Sequence, residues 1–273
     1  MSAGFAQLTA DFLSEVLSRK HKQAVRVQNL TVTEYHDRAD LRKLAIESTV
    51  GPVELMVKIL PQNRRRETEV WAFLAQAGAL PLPELYHAEF DQRLGSYGVI
   101  LEFIPPLMEV ERWDDAQCRR VGAALAAVHG RFWAKTDELP EPFAAPETPP
   151  EATVEPAVRR FLDRLSGTRQ AVLYADVPDV LTLLAKLLRM APAFFAEPTD
   201  LPQTLIHGAL DRTEVLFRPH GAGPQPVLID WCDARVGRGS EDLAMLVNSL
   251  PADRQSAARA SLLAGYLEGL AAA

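Results

Sequence analysis

His207-Gly208-Ala209-Leu210-Asp211-Arg212-Thr213-Glu214-Val215-Leu216-Phe217, followed shortly by Val227-Leu228-Ile229-Asp230-Trp231, is the stretch whose reading decides the fold. Asp230 ends an apolar run, Val227 to Ile229. Desolvating a carboxylate at the end of a buried strand costs several kcal/mol, so this one requires a partner. A bound cation would serve; so would a turn that Asp230 caps, or an ion pair with Arg235. The loop ahead of it opens on His207-Gly208 and places two acids, Asp211 and Glu214, after the small residue Ala209.

Upstream, Lys58 lies in Leu55-Met56-Val57-Lys58-Ile59-Leu60, where strand alternation surrounds an ammonium with apolar neighbours. Such a lysine needs an anion or a route to water along its own stem. Glu67 follows nine residues later in the first turns of an expected helix, with Glu69 as a competitor about 200° around the helix axis.

Around these positions the periodicity predicts a helix from the cap Thr9, bearing Phe12, Leu13, Val16 and Leu17 on one face. Strands are predicted over Val25 to Thr33, Leu41 to Ser48 and Val53 to Leu60, then a helix from Pro61 to Gly78. The run Arg64 to Arg66 on its first turns reads as solvated surface. Two more strands, Leu85 to Phe90 and Tyr97 to Phe103, precede Pro105-Pro106. Beyond them an alanine-rich helix capped by Asp114 or Asp115 is predicted to reach about Phe132. The Pro- and Glu-rich segment from Asp137 to Pro156 is a candidate lid. Helices are predicted again over Val158 to Leu165, Asp179 to Met190, Glu241 to Leu250 and Ala252 to Leu270, with Ser240 as a cap.

Taken together, the motifs resemble the aminoglycoside and choline type phosphotransferases, which share the protein-kinase fold. The resemblance runs from the strand bearing Lys58 to the helix after Asp242 and rests on ordered spacing. It implies an α+β, two-lobed protein-kinase-like fold: an antiparallel-sheet N-terminal lobe for nucleotide over residues 1–103, and a mainly helical C-terminal lobe over residues 104–273. It implies ATP and Mg as cofactors, with Lys58 paired to Glu67 on the nucleotide phosphates and Asp230 on the metal. Glu102 and Ile104 fall at the hinge, where backbone groups would meet adenine; read alone, the same residues are a plain strand end.

The resemblance also exposes two departures. Ala209 occupies the position of the aspartate that handles the acceptor's proton, and Glu214 that of an asparagine that helps hold a metal ion. Loss of general-base help is worth about 10² to 10⁴ in rate. Asp211, two positions on, is a substitute carboxylate. Glu214 can ligate magnesium but adds negative charge beside the phosphates. The segment Thr31 to Asp40, in the place of the phosphate-covering loop, contains no glycine. In the family's pattern His207 supports the loop, and Asp242 in Gly239-Ser240-Glu241-Asp242 braces it; on its own residues Asp242 equally suits a solvated first turn facing the helix dipole. His129, in Ala126-Ala127-Val128-His129-Gly130, reads as a packed helix residue.

The implied function is that of a kinase-like homologue with absent or strongly reduced transfer and retained ATP/Mg binding. The alternatives are an active kinase for a small hydroxylated molecule and a partner-binding scaffold. A chain of 273 residues, 48% hydrophobic, can bury a sizeable core. Its net charge of -7 disfavours nucleic-acid and anionic-membrane surfaces but suits a small-molecule ligand. Cys118 and Cys232 have no metal-ligand spacing, no apolar run approaches bilayer length, and Met1 to Gln7 lacks a leader pattern, so a cytoplasmic setting is expected.

Overall fold

The computed structural model describes residues 8–35, 38–60, 65–91, 96–106, 113–143, 201–221 and 223–273. The chain divides into two units, Met1–Ala144 with Gln203–Ala273, and Ala145–Pro202. Of the second, only Leu201 and Pro202 are described, so the helices predicted over 158–165 and 179–190 lie outside the described residues.

Helix α1, Ala10–His21, starts where the Thr9 hydroxyl accepts from the Phe12 amide, and it buries Leu13, Val16 and Leu17. It covers one face of an antiparallel sheet made of β1 (Val27–Tyr35), β2 (Arg38–Ser48), β3 (Gly51–Leu60), β4 (Leu85–Asp91) and β5 (Ser96–Glu102), in the order β1-β2-β3-β5-β4. The two-residue alternation of β3 sorts its side chains: Leu55, Val57 and Ile59 pack beneath α1, which leaves Lys58 on the opposite face. In β5, Ile100 joins the α1 side, while Val99 and Leu101 join a second core with Val70, Trp71 and Leu74 of α2 (Arg65–Leu74).

That second core extends into the helical region. Helix α3, Asp115–Arg131, begins with a capping box between Asp114 and Gln117 and packs along α5, Gln255–Ala272. The two helices approach so closely that a Cβ at Gly122 would lie 2.1 Å from the Leu262 carbonyl oxygen, and one at Gly265 would lie 2.0 Å from that of Arg119. Glycine is required at this crossing for lack of space.

Short strands frame the loop of interest. β6 (Thr204–Ile206) pairs with β9 (Arg235–Gly237), and β7 (Val215–Arg218) pairs with β8 (Gln225–Leu228). Helix α4, Gly239–Ser249, follows β9. Ser240 is not its cap: it sits exposed inside the first turn, and the Arg238 amide is instead satisfied by the Glu241 carboxylate at 2.8 Å. Of the candidate lid, the described part consists of 3-10 turns at Thr136–Glu138 and Glu141–Phe143, with Phe143 fully buried.

Candidate active site

A cleft of about 460 Å³ opens beside the sheet face that carries Lys58. Its walls include Tyr35, Phe103, Ile104 and Trp71, and its polar floor is Lys58, Glu67, Glu214 and Asp230. The Lys58 ammonium lies 2.6 Å from Glu67 Oε1 and 2.7 Å from Asp230 Oδ1. Glu67, rather than Glu69, takes the lysine. Burial by itself would depress the Lys58 pKa, but the two carboxylates outweigh it and hold the ammonium charged above its ordinary range.

Asp230 stands just past β8 with φ 55° and ψ 58°, a left-handed conformation costly for a non-glycine residue. Neither alternative reading of Asp230 holds, since it makes no side-chain cap and Arg235 pairs with Glu241 at 2.9 Å. Burial pushes its pKa up, and Lys58 more than reverses this, so the carboxyl stays ionised below its usual range. Its side chain remains 37% exposed toward the cleft, whereas that of Glu67 is 1% exposed.

Glu214 ends a 3-10 turn, Arg212–Glu214, and lines the same cleft. Burial first, then the carboxylates of Asp230 and Asp211, push its pKa up to about 7. Asp211 does not line the cleft. Its Oδ1 accepts from both the amide and the hydroxyl of Thr213, each at 2.6 Å, which makes it a turn cap.

The loop holding Ala209 is braced from below. The amides of His207 and Gly208 donate to Asp242 at 2.6 and 2.9 Å, and Asp242 is fully buried, so the solvated reading of that residue is excluded. Asp242 in turn lies 3.2 Å from His129 Nε2, and His129 Nδ1 lies 2.9 Å from the Tyr266 hydroxyl. Burial alone would raise the Asp242 pKa; His129 and the two loop amides hold it below the usual carboxylate range. His129 is therefore more than packing: it links α5 through Asp242 to the loop. His207 donates from Nε2 to the Ile229 carbonyl at 2.6 Å and packs its ring at a tilt of 56° against Trp231, tying the loop to the residue before Asp230.

Three relationships escaped the sequence. Arg66, expected in solvent, donates to the carbonyls of Cys232 and Ala234 and so fastens α2 to the turn after Asp230. The Glu102 carboxylate is occupied by Arg218 at 2.8 Å and by the Glu84 amide at 3.1 Å, so a ligand at the hinge is left to backbone groups there and at Ile104. Cys232, read as isolated, has its sulfur within 4.8 Å of the carboxylate oxygens of Glu67 and Asp230. Burial and the Asp230 charge push its thiol up to about 12, so it stays protonated at neutral pH. The donor set available at neutral pH is carboxylate oxygen, which suits a hard cation such as Mg²⁺.

Comparison with known proteins bears on the fold and the family. No curated protein matches the chain. Among solved structures, macrolide 2'-phosphotransferase of Brachybacterium faecium shares 20% identity over 95% of this chain and 83% of its own, with a TM-score of 0.52. Spectinomycin phosphotransferase in complex with ADP and spectinomycin shares 12% over 95% and 80%, with a TM-score of 0.59. Choline kinase of Cryptosporidium parvum Iowa II shares 13% over 89% and 74%, with a TM-score of 0.58. These likenesses establish the kinase-like α+β fold. A model of the phosphotransferase enzyme family matches residues 31–273, nearly the whole of the chain, which therefore belongs to that family.

Proposed function

We propose that the protein is an ATP- and Mg-binding phosphotransferase homologue of the aminoglycoside and choline kinase type whose phosphoryl transfer to a small molecule is strongly reduced. The observation that carries this reading is the Lys58 ammonium held between Glu67 and Asp230 on the floor of an open cleft, beside a loop whose expected base position is Ala209. In this reading residues 1–103 form the nucleotide-binding lobe and residues 104–273 the helical lobe with the catalytic loop and metal strand. ADP in the spectinomycin phosphotransferase complex supports the choice of nucleotide.

Each described side chain has a physical task in this reading. Lys58 offers its charge to nucleotide phosphates, and Glu67, too buried to meet solvent, keeps it aimed. Asp230, with Glu214 once deprotonated, would hold magnesium, which neutralises phosphate charge when bound. Tyr35, Phe103 and Ile104 offer apolar surface for a base. His207, Asp242 and His129 fix the loop without touching the reacting atoms.

The binding test is a thermal-shift titration with ATP and Mg on the native chain and on Asp230→Asn. Ligand at about 100 times its dissociation constant stabilises the fold by about 2.7 kcal/mol. A native chain with no shift would exclude nucleotide binding. For transfer, Ala209→Asp with Glu214→Asn is compared with the native chain; robust and equal transfer by both would replace this reading by that of an active kinase for a small-molecule hydroxyl. A protein with neither binding nor transfer would leave the scaffold reading.

A further inference from the structure

We propose that Arg66 is a positioning residue for the cation that accompanies the nucleotide. It holds the turn after Asp230 against α2, so that Glu67 and Asp230 keep their spacing when Lys58 turns from them to phosphate. The inference rests on the ATP- and Mg-binding reading above.

The geometry starts at Asp230. Its left-handed backbone, φ 55°, leads at once into the single 3-10 turn Trp231–Asp233, which closes through one bond, from the Ala234 amide to the Trp231 carbonyl at 3.2 Å. A strained residue persists only where its surroundings over-determine it. Trp231 pins the start of this turn: it is fully buried, and its indole N–H donates to the Leu228 carbonyl at 3.1 Å. The end of the turn is held by a side chain from another element. Arg66 donates to the Cys232 carbonyl at 3.3 Å and also to the Ala234 carbonyl. The carbonyl between them, that of Asp233, borders the loop instead, since a Cβ built on Gly208 would lie 2.3 Å from it. Successive carbonyls of one turn thus meet α2 and the loop in alternation.

Arg66 directly precedes Glu67 in the chain. The first turn of α2 therefore reaches the metal strand in two ways. One runs through an ammonium, from Glu67 to Lys58 at 2.6 Å and on to Asp230 at 2.7 Å. The other runs through the guanidinium, whose planar fork of donors suits two carbonyls at once. A nucleotide acts on these links differently. Its phosphates compete with both acids for the Lys58 ammonium, whereas Arg66 does not line the cleft and keeps its carbonyls. With Lys58 drawn toward phosphate, Arg66 keeps α2 on the turn and the Asp230 carboxylate in place for the cation.

The test measures ATP affinity by calorimetric titration, once with Mg and once with EDTA. The proteins are the native chain, Arg66→Met, Arg66→Lys, Asp230→Asn and the pair Arg66→Met/Asp230→Asn. Methionine keeps an apolar stem and removes every donor, whereas lysine keeps the charge and loses the fork. We expect Mg to tighten ATP binding by the native chain. Arg66→Met should weaken binding in Mg by about 5- to 150-fold, the usual range for coupling between linked sites, and change it little in EDTA. Arg66→Lys should fall between the two. In the Asp230→Asn background Arg66→Met should cost no further affinity, because the carboxylate it positions is gone.

Equal losses in Mg and in EDTA overturn the proposal, since the guanidinium then serves the fold as a whole. Full additivity of Arg66→Met and Asp230→Asn overturns it as well. If Arg66→Met does not fold, Arg66→Lys decides: a loss confined to Mg supports the proposal, and native affinity in Mg overturns it. A native chain that binds no ATP in either condition defeats the nucleotide reading and this inference together, whereas Mg-strengthened binding that Arg66→Met leaves intact defeats the inference alone.

Discussion

Lys58 and Asp230, 172 positions apart in sequence, lie 2.7 Å from each other, and the same ammonium is 2.6 Å from Glu67. One cation thus satisfies two carboxylates from different parts of the chain. Removing it deprives Glu67, whose side chain is 1% exposed, of its ammonium partner. Lys58→Ala should cost about 3–5 kcal/mol in chemical denaturation, the usual range for breaking one side of a buried pair. Adding Glu67→Gln should return more than half of that loss. A double variant no more stable than the single one would place the cost elsewhere. Because Lys58→Ala weakens the fold itself, Asp230→Asn is the cleaner probe of nucleotide binding.

The relay from Tyr266 through His129 to Asp242 makes a claim about acid. The folded carboxyl of Asp242 titrates below its unfolded value, so its contribution is present at neutral pH and above the unfolded pKa, and it is lost as pH falls through the folded one. Asp242→Asn should lower stability at pH 7 and flatten the stability profile below about pH 4, near the unfolded value. Unfolding followed by urea from pH 7 to pH 3 checks this. An unchanged acid limb in the variant would mean that other carboxylates govern acid unfolding.

The parts of this site that were legible in sequence are those set by local periodicity. Lys58 could be read because strand alternation isolates a charge among apolar residues, and Glu67 because helix geometry separates it from Glu69. Asp230 was legible from the run it terminates. Arg66 was misread because a guanidinium that binds carbonyl oxygens leaves no pattern in side-chain types: its partners are backbone atoms 166 and 168 positions away. The commitment of Glu102 to Arg218 depends on how β5 meets β7, which no spacing encodes.

Glu214 should make cation binding depend on pH near neutrality. Its pKa of about 7 leaves the carboxyl largely protonated at pH 6 and ionised at pH 8. The Mg-dependent part of the ATP thermal shift should therefore grow between pH 6 and 8, and Glu214→Gln should remove that growth. Stability without ligand has the opposite sign. A carboxyl whose folded pKa is raised stays protonated in the native state, so the native chain loses stability as pH rises from the unfolded value toward 7. Glu214→Gln should consequently be more stable than the native chain above pH 7, and the difference should disappear below about pH 4.5, the unfolded value. A variant less stable than the native chain at pH 8 would contradict the burial and charge that raise this pKa.

Two arginine–glutamate pairs on the same chain should differ in value. Arg119 and Glu268 are 2.7 Å apart, but their side chains are 53% and 66% exposed. Solvent screening and side-chain entropy should reduce the effect of Arg119→Ala to about 0–1 kcal/mol. Arg218 and Glu102 are 32% and 24% exposed, and the guanidinium also donates to the Leu82 carbonyl at 3.2 Å. Hydrogen bonds to charged groups are worth about 1.5–3 kcal/mol, so Arg218→Ala should cost roughly 1–2 kcal/mol after discounting for partial exposure. It should also weaken ATP binding, because Glu102 lines the cleft and its unpaired charge would face the nucleotide. Glu102→Gln in the Arg218→Ala background should restore affinity more than stability. Denaturation and ATP titration on the three variants separate the two effects, and equal costs for Arg119→Ala and Arg218→Ala would show that the hinge pair is worth no more than a surface contact.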